Sequence, residues 1–147
     1  MAGMKSILAL LVLAVAPLLA LAAWAAEPIP VPKPIFFAMG STSGTVGGRV
    51  LRGARDLYSL KAGAGQTMTV TITVPDDNAT FEIYEPGTII GRDADSLLTF
   101  KGKALHAPRA GEDTTRFHGR LPTSGTYIIA VDSTLGSARY SMDVKIQ

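Results

Sequence analysis

The chain has 147 residues, no cysteine and a formal net charge of +2 at pH 7. That length suits one domain rather than two, and so small a charge gives no support to a nucleic-acid partner. Without cysteine, neither a disulfide nor a lipid anchor attached at a leader's cleavage site is available, so an exported domain must hold together by burial alone.

In chain order, Met4 and Lys5 make a small basic start, and residues 7–23 are apolar and uncharged. Ala23-Trp24-Ala25 then supplies a small-x-small pattern, so residues 1–25 read as a helical secretory signal cut after Ala25. The rival is an uncleaved anchor, because about 17 apolar residues is near the lower limit for spanning a bilayer. Pro17 and the alanine-rich end favour cleavage, which leaves a periplasmic chain with no membrane attachment. Removing Lys5 with the signal leaves thirteen basic residues against twelve acidic ones.

Residues 26–34 carry four prolines and read as an extended linker or arm. The domain proper is expected over 35–147. Ile35, Phe36 and Phe37 suggest a short apolar strand. The Gly/Ser/Thr-rich run 40–48 continues as extended chain with no helix behind it, so its glycines mark bends rather than a phosphate cradle. Residues 55–61 form a strand with Tyr58 and Leu60 on one face, and 62–66 turn the chain. Residues 67–74 alternate without a break: Met68, Val70, Ile72 and Val74 face one way, Thr67, Thr69, Thr71 and Thr73 the other.

Residues 75–78 are a turn, and 80–84 a strand burying Phe81 and Ile83. The pattern weakens over 85–113, with a strand within 96–101. Residues 116–121 alternate again, placing Arg116, His118 and Arg120 outward. Pro122 to Gly125 is a turn, and Tyr127, Ile129 and Val131 then face inward. Period two, a turn and period two again predict two antiparallel strands joined by a short exposed loop. Residues 132–137 form a turn, and 139–146 close with Tyr140, Met142, Val144 and Ile146 inward. Seven to nine short strands and no helical periodicity predict an all-β, antiparallel sandwich or small barrel.

Chemistry is hard to assemble from this inventory. Two histidines, His106 and His118, have no spacing that points to zinc. Asp76-Asp77-Asn78 lacks the acidic spacing of a calcium loop and reads as a plain turn. Ser124 has no strand-turn-helix context to make it a strained nucleophile. Neither an enzyme nor a cofactor or metal site is expected. The stripe of Arg116, His118 and Arg120 is either an ordinary solvated strand face or a surface complementary to an acidic cleft. Tyr127, pointing inward at a strand start, could equally tie its hydroxyl to backbone as a sandwich-corner tyrosine does.

Six segments in order resemble the periplasmic lysozyme inhibitors of the I-type and g-type families. They are Phe37-Ala38-Met39-Gly40 with its Ser/Gly/Thr run, Asp56-Leu57-Tyr58, Ala62 to Thr67, Phe117 to Pro122, Ser124-Gly125-Thr126-Tyr127 and Ala138-Arg139-Tyr140. The resemblance implies a small periplasmic β-sandwich that blocks lysozyme. In those families a Ser-Gly-x-Tyr loop enters the lysozyme cleft, which maps onto Ser124, Gly125 and Tyr127, with Arg116, His118 and Arg120 beside them. The g-type members resemble one another in a longer, Arg-rich hairpin before the last strand. Here residues 132–138 are short, so the lysozyme class stays open, as does a homodimer. The alternative function is a non-catalytic secreted binding or accessory module, similar to the pre-peptidase C-terminal domains of secreted enzymes, which also carry an Asp-Tyr, a Gly-Gln turn and a Gly-x-Tyr strand.

Overall fold

Strict alternation decides the architecture, because each strand has one apolar face to hide. The structure, a computed structural model, describes residues 25–147; the expected signal lies outside the described residues apart from Ala25. Eleven strands follow in order: β1 (Lys33–Pro34), β2 (Ser43–Val50), β3 (Arg55–Ala62), β4 (Thr67–Thr73), β5 (Ala79–Tyr84), β6 (Ile89–Arg92), β7 (Leu98–Lys101), β8 (Ala104–His106), β9 (Arg116–Arg120), β10 (Gly125–Ser133) and β11 (Ala138–Ile146). They build a five-stranded sheet in the order β1-β3-β10-β5-β8 and a four-stranded sheet in the order β2-β11-β4-β9, with β6 and β7 as a separate pair. Every pairing is antiparallel except β1 with β3. The two larger sheets pack as a sandwich around one core, as the alternation predicts.

The core is the sum of the inward faces: Tyr58 and Leu60, Phe81 and Ile83, Tyr127, Ile129 and Val131 from one sheet, Met68, Val70, Ile72, Met142 and Val144 from the other. A chain of hydroxyls ties the sheets together inside it. Tyr140 on β11 donates to Asp56 Oδ2 on β3 at 2.6 Å, and its oxygen lies 2.6 Å from the Tyr58 hydroxyl. Burial, together with bonds to Asp56 and Tyr58, pushes the Tyr140 hydroxyl far above the usual phenol range.

Eleven strands exceed the seven to nine expected, because the weakly patterned 85–113 stretch also holds the short β6 and β8, and three further features differ from the sequence expectation. Residues 35–37 are not a strand; the pairing along β3 is made by Lys33 and Pro34, and Phe36 stays 82% exposed while Ile35 is buried. The proline arm therefore does not hang free. Its start is held as well, by Arg92 Nη2 donating to the Pro28 carbonyl at 3.0 Å and pairing with Glu27 at 3.6 Å. Last, β10 is buried on both faces, with Ile128 and Ala130 buried along with Tyr127, Ile129 and Val131. The β6–β7 pair folds over that outer side: Phe100 stacks on Tyr84 at 4.6 Å, and the Arg55 guanidinium sits over the Phe100 ring.

On β8, at the edge of its sheet, His106 packs against Phe81 and Phe117, ring centres 4.8 and 5.4 Å away, filling the gap between the sheets. Its Nε2 is buried without a partner among the described residues. Burial lowers its affinity for a proton below that of an ordinary imidazole (6.5), outweighing the opposite pull of Asp113, Glu112 and Glu82. The unfolded chain therefore takes up the proton first. The neutral imidazole's contribution is intact above pH 6.5 and is lost as pH falls through the lowered folded value. In His106→Phe, which keeps an aromatic ring in the gap, the loss of urea stability between pH 7.5 and 5.5 should be smaller than in the parent.

Candidate functional site

Two places where the chain changes sheet lie side by side at one end of the sandwich. Residues 63–66 cross from β3 in the five-stranded sheet to β4 in the four-stranded one. Residues 121–124 cross back, from β9 to β10. Register brackets the pair: Ala62 lies opposite Gly125, and Thr67 opposite Arg120. The loop between β9 and β10 is thus a sandwich corner and not a hairpin turn, since these strands pair with β4 and with β3 and β5, never with each other. A turn flanked by alternation looks the same in sequence whether the chain folds back on its own strand or moves to the opposite sheet.

The two crossings are laced together. Gly65 N–H donates to the Leu121 carbonyl at 2.8 Å, and Leu121 N–H donates to the Gln66 carbonyl at 2.7 Å. Ala64 N–H donates to Ser124 Oγ at 2.7 Å, and the Gln66 side chain accepts from Gly63 N–H at 2.6 Å. Leu121 is buried and anchors the corner, while Pro122, Thr123 and Ser124 stand exposed above it. Because Ser124 Oγ accepts from Ala64, its own hydrogen remains available to an outside acceptor.

Tyr127 is not part of the exposed surface. Its ring is fully buried, and its hydroxyl donates to the Thr123 carbonyl at 2.6 Å while taking a longer bond from Thr123 N–H at 3.3 Å. This is the sandwich-corner role, and Tyr127 shapes the exposed loop from beneath. Gly125 takes φ +147°, and a Cβ there would come within 2.7 Å of Pro86 Cβ, so only glycine fits.

The cations on β9 point outward as the alternation predicts. Arg120 reaches the corner, its Nη2 3.3 Å from where a Cβ on Gly65 would lie. His118 and Arg116 stand farther down the strand, at about 7 and 13 Å from it by strand rise. His118 Nδ1 lies 2.8 Å from Thr69 Oγ1. The structure therefore brings Ser124, Gly125 and Arg120 together and leaves Arg116 at a distance. Sequence reasoning missed two neighbours: the 63–66 crossing, whose Gly-Ala-Gly-Gln run was the available signal, and Phe36, which with Lys61 and Thr126 lines a shallow groove of about 430 Å³. Among the described residues no three His, Asp or Glu side chains gather to hold a metal.

This is a braced, mixed polar corner on a β-sandwich, with Pro122, Thr123 and Ser124 exposed. No protein-family model and no curated protein matches the chain. Among solved structures it is similar to PliG of Aeromonas hydrophila, a periplasmic lysozyme inhibitor of g-type lysozyme: TM-score 0.62, 29% identity, 79% of this chain and 96% of that one. PliG of Salmonella Typhimurium, also an inhibitor of g-type lysozyme, matches at TM-score 0.54 and 21% identity over 80% of this chain and all of that one (100%). The pre-peptidase C-terminal domain of collagenase from Bacillus anthracis matches at TM-score 0.56 and 14% identity, over 81% of this chain and 98% of that one. The last two share the fold and carry no further argument.

Two substitutions check the corner. Gly125→Ala should cost about 1–3 kcal/mol for the strained backbone, before any shift of Pro86. Tyr127→Phe should cost about 1 kcal/mol for the lost bond to Thr123. Urea unfolding of both variants reads the differences.

Proposed function

We propose that the chain is an exported, non-catalytic inhibitor of lysozyme, acting in the periplasm, with the g-type enzymes as its first expected target. The observation that carries this reading is the exposed 122–124 corner, held rigid by the neighbouring crossing, in a chain 29% identical to a g-type inhibitor over 79% of its length. A lysozyme cleft offers a carboxylic acid and commonly a second carboxylate. Ser124 donates its free hydroxyl hydrogen to one, and Arg120 supplies the charge that an acidic groove attracts. His118 and Arg116 extend the complementary surface down β9. The corner presents peptide where the enzyme needs a glycosidic bond, so it occupies the site without being turned over. Because the corner is already ordered, little conformational freedom is lost on docking. Tyr127 contributes by fixing Thr123 rather than by touching the enzyme.

Purified protein should slow the lysis of cell walls by a g-type lysozyme, and assays with I-type and c-type enzymes define the class. Ser124→Ala and Arg120→Ala each remove a charge-assisted hydrogen bond worth about 1.5–3 kcal/mol, roughly ten- to a hundredfold in inhibition constant. Tyr127→Phe leaves the exposed surface intact and should cost less than either. Failure to inhibit any of the three classes would remove the proposal.

A further inference from the structure

The outer face of the four-stranded sheet concentrates positive charge, of which the corner uses only Arg116 and Arg120. Arg49 on β2, Arg139 and Lys145 on β11, and Arg116 and Arg120 on β9 all project outward and exposed, with Asp143 the one carboxylate among the outward residues of these strands. Five of the thirteen cations beyond Lys5 therefore share this face with one of the twelve carboxylates, and the rest of the molecule is left with eight against eleven. None of the five makes an ion pair among the described residues. Arg49 lies directly opposite Arg139 in the ladder. Like charges so placed repel each other across the strands, and an anion between them relieves the repulsion.

The arrangement is a channel with two rails. Arg116 and Arg120 on β9 and Lys145 on β11 flank β4, so the two rows stand about 10 Å apart; Arg139 lies two residues beyond the last β11–β4 pair, Ser141 with Thr73, and Asp143 stands in the β11 row opposite Thr71. Between them Thr67, Thr69, Thr71 and Thr73 form a floor of hydroxyls. Apart from the His118 imidazole, no aromatic or large apolar side chain projects outward from these strands, so the face offers little to stack on a neutral sugar ring and nothing to insert into a bilayer. Ionic contact with hydroxyl donors between the charges is what remains, and the width admits a single extended chain.

We propose that this face binds a linear anionic polysaccharide lying along β4, through Arg49, Arg139 and Lys145 as well as the Arg116 and Arg120 it shares with the corner. The probe is heparin, a linear sulfated polysaccharide, with the affinity of the exported chain measured as a function of salt. In Arg49→Ser/Arg139→Ser/Lys145→Ser, affinity should fall at least tenfold. The slope of log affinity against log salt should drop by about one for each cation removed. Lys33→Ser/Lys101→Ser/Lys103→Ser removes equal charge elsewhere and should change affinity less than twofold. The face variant relieves the Arg49–Arg139 repulsion, so its urea midpoint should be no lower than the parent's. Equal losses in the two triple variants would overturn the proposal, since net charge alone would then account for binding. So would binding to phosphatidylglycerol–phosphatidylcholine vesicles that matches or exceeds heparin and falls in the face variant, which would assign the face to a membrane surface. No heparin binding at low salt would overturn it as well.

Discussion

A reciprocal pair of backbone hydrogen bonds, Gly65 to Leu121 and Leu121 to Gln66, holds together the end of the sandwich on which the functional reading rests. Loops that cross between sheets have no strand partner to satisfy their amides, and an unpaired buried amide is costly. Here each crossing serves as the other's partner. The consequence reaches both sheets: the bonds align β3 with β10 and β4 with β9, and thereby set the height at which Ser124 stands above the surface. The glycines of residues 63–65 let the first crossing pass close beneath the second, with Gly65 at φ +86° and the Arg120 guanidinium resting over it.

Much of the strand pattern was readable from alternation alone. β4, β9 and β11 each have one strictly apolar face and lie where their sequence places them. The pairing of β9 and β10 was not readable, because alternation reports which face of a strand is buried and says nothing about which strand lies beside it. The burial of Ile128 and Ala130 follows from Phe100 folding back over that side of the sheet, about thirty residues earlier in the chain. Ile35, Phe36 and Phe37 were expected to form a short apolar strand, but the ladder along β3 is made by Lys33 and Pro34 instead, and only Ile35 and Phe37 turn toward the core. Of the candidate site, the outward direction of Arg116, His118 and Arg120 was legible, whereas the sequence left Tyr127 open between a surface and a corner role, and its burial beneath Thr123 is a finding of the structure.

The segments that carry the family resemblance have a common structural meaning. Asp56, Tyr58 and Tyr140 form the hydroxyl chain between the sheets, Ala62 to Thr67 is one crossing, and Ser124 to Tyr127 completes the other. They are joints of the sandwich. A similarity to pre-peptidase C-terminal domains in the same segments is therefore expected of any chain that solves the same folding problem. The proposed function rests instead on what the joints expose, namely the Ser124–Arg120 corner, and the further proposal on the cationic face around the side. The two surfaces meet at Arg120 and diverge from there: Arg49 and Arg139 sit at the opposite end of the sheet from the corner.

Amide hydrogen exchange at Ala64, Gly65 and Leu121 tests the bracing of the corner most directly. With the crossings laced as described, these three amides exchange as slowly as those of β4 and β10, opening only when the whole domain unfolds. Exchange at the rate of an exposed loop would show that the corner opens locally, and a rigid surface held ready for another protein's cleft would then not exist.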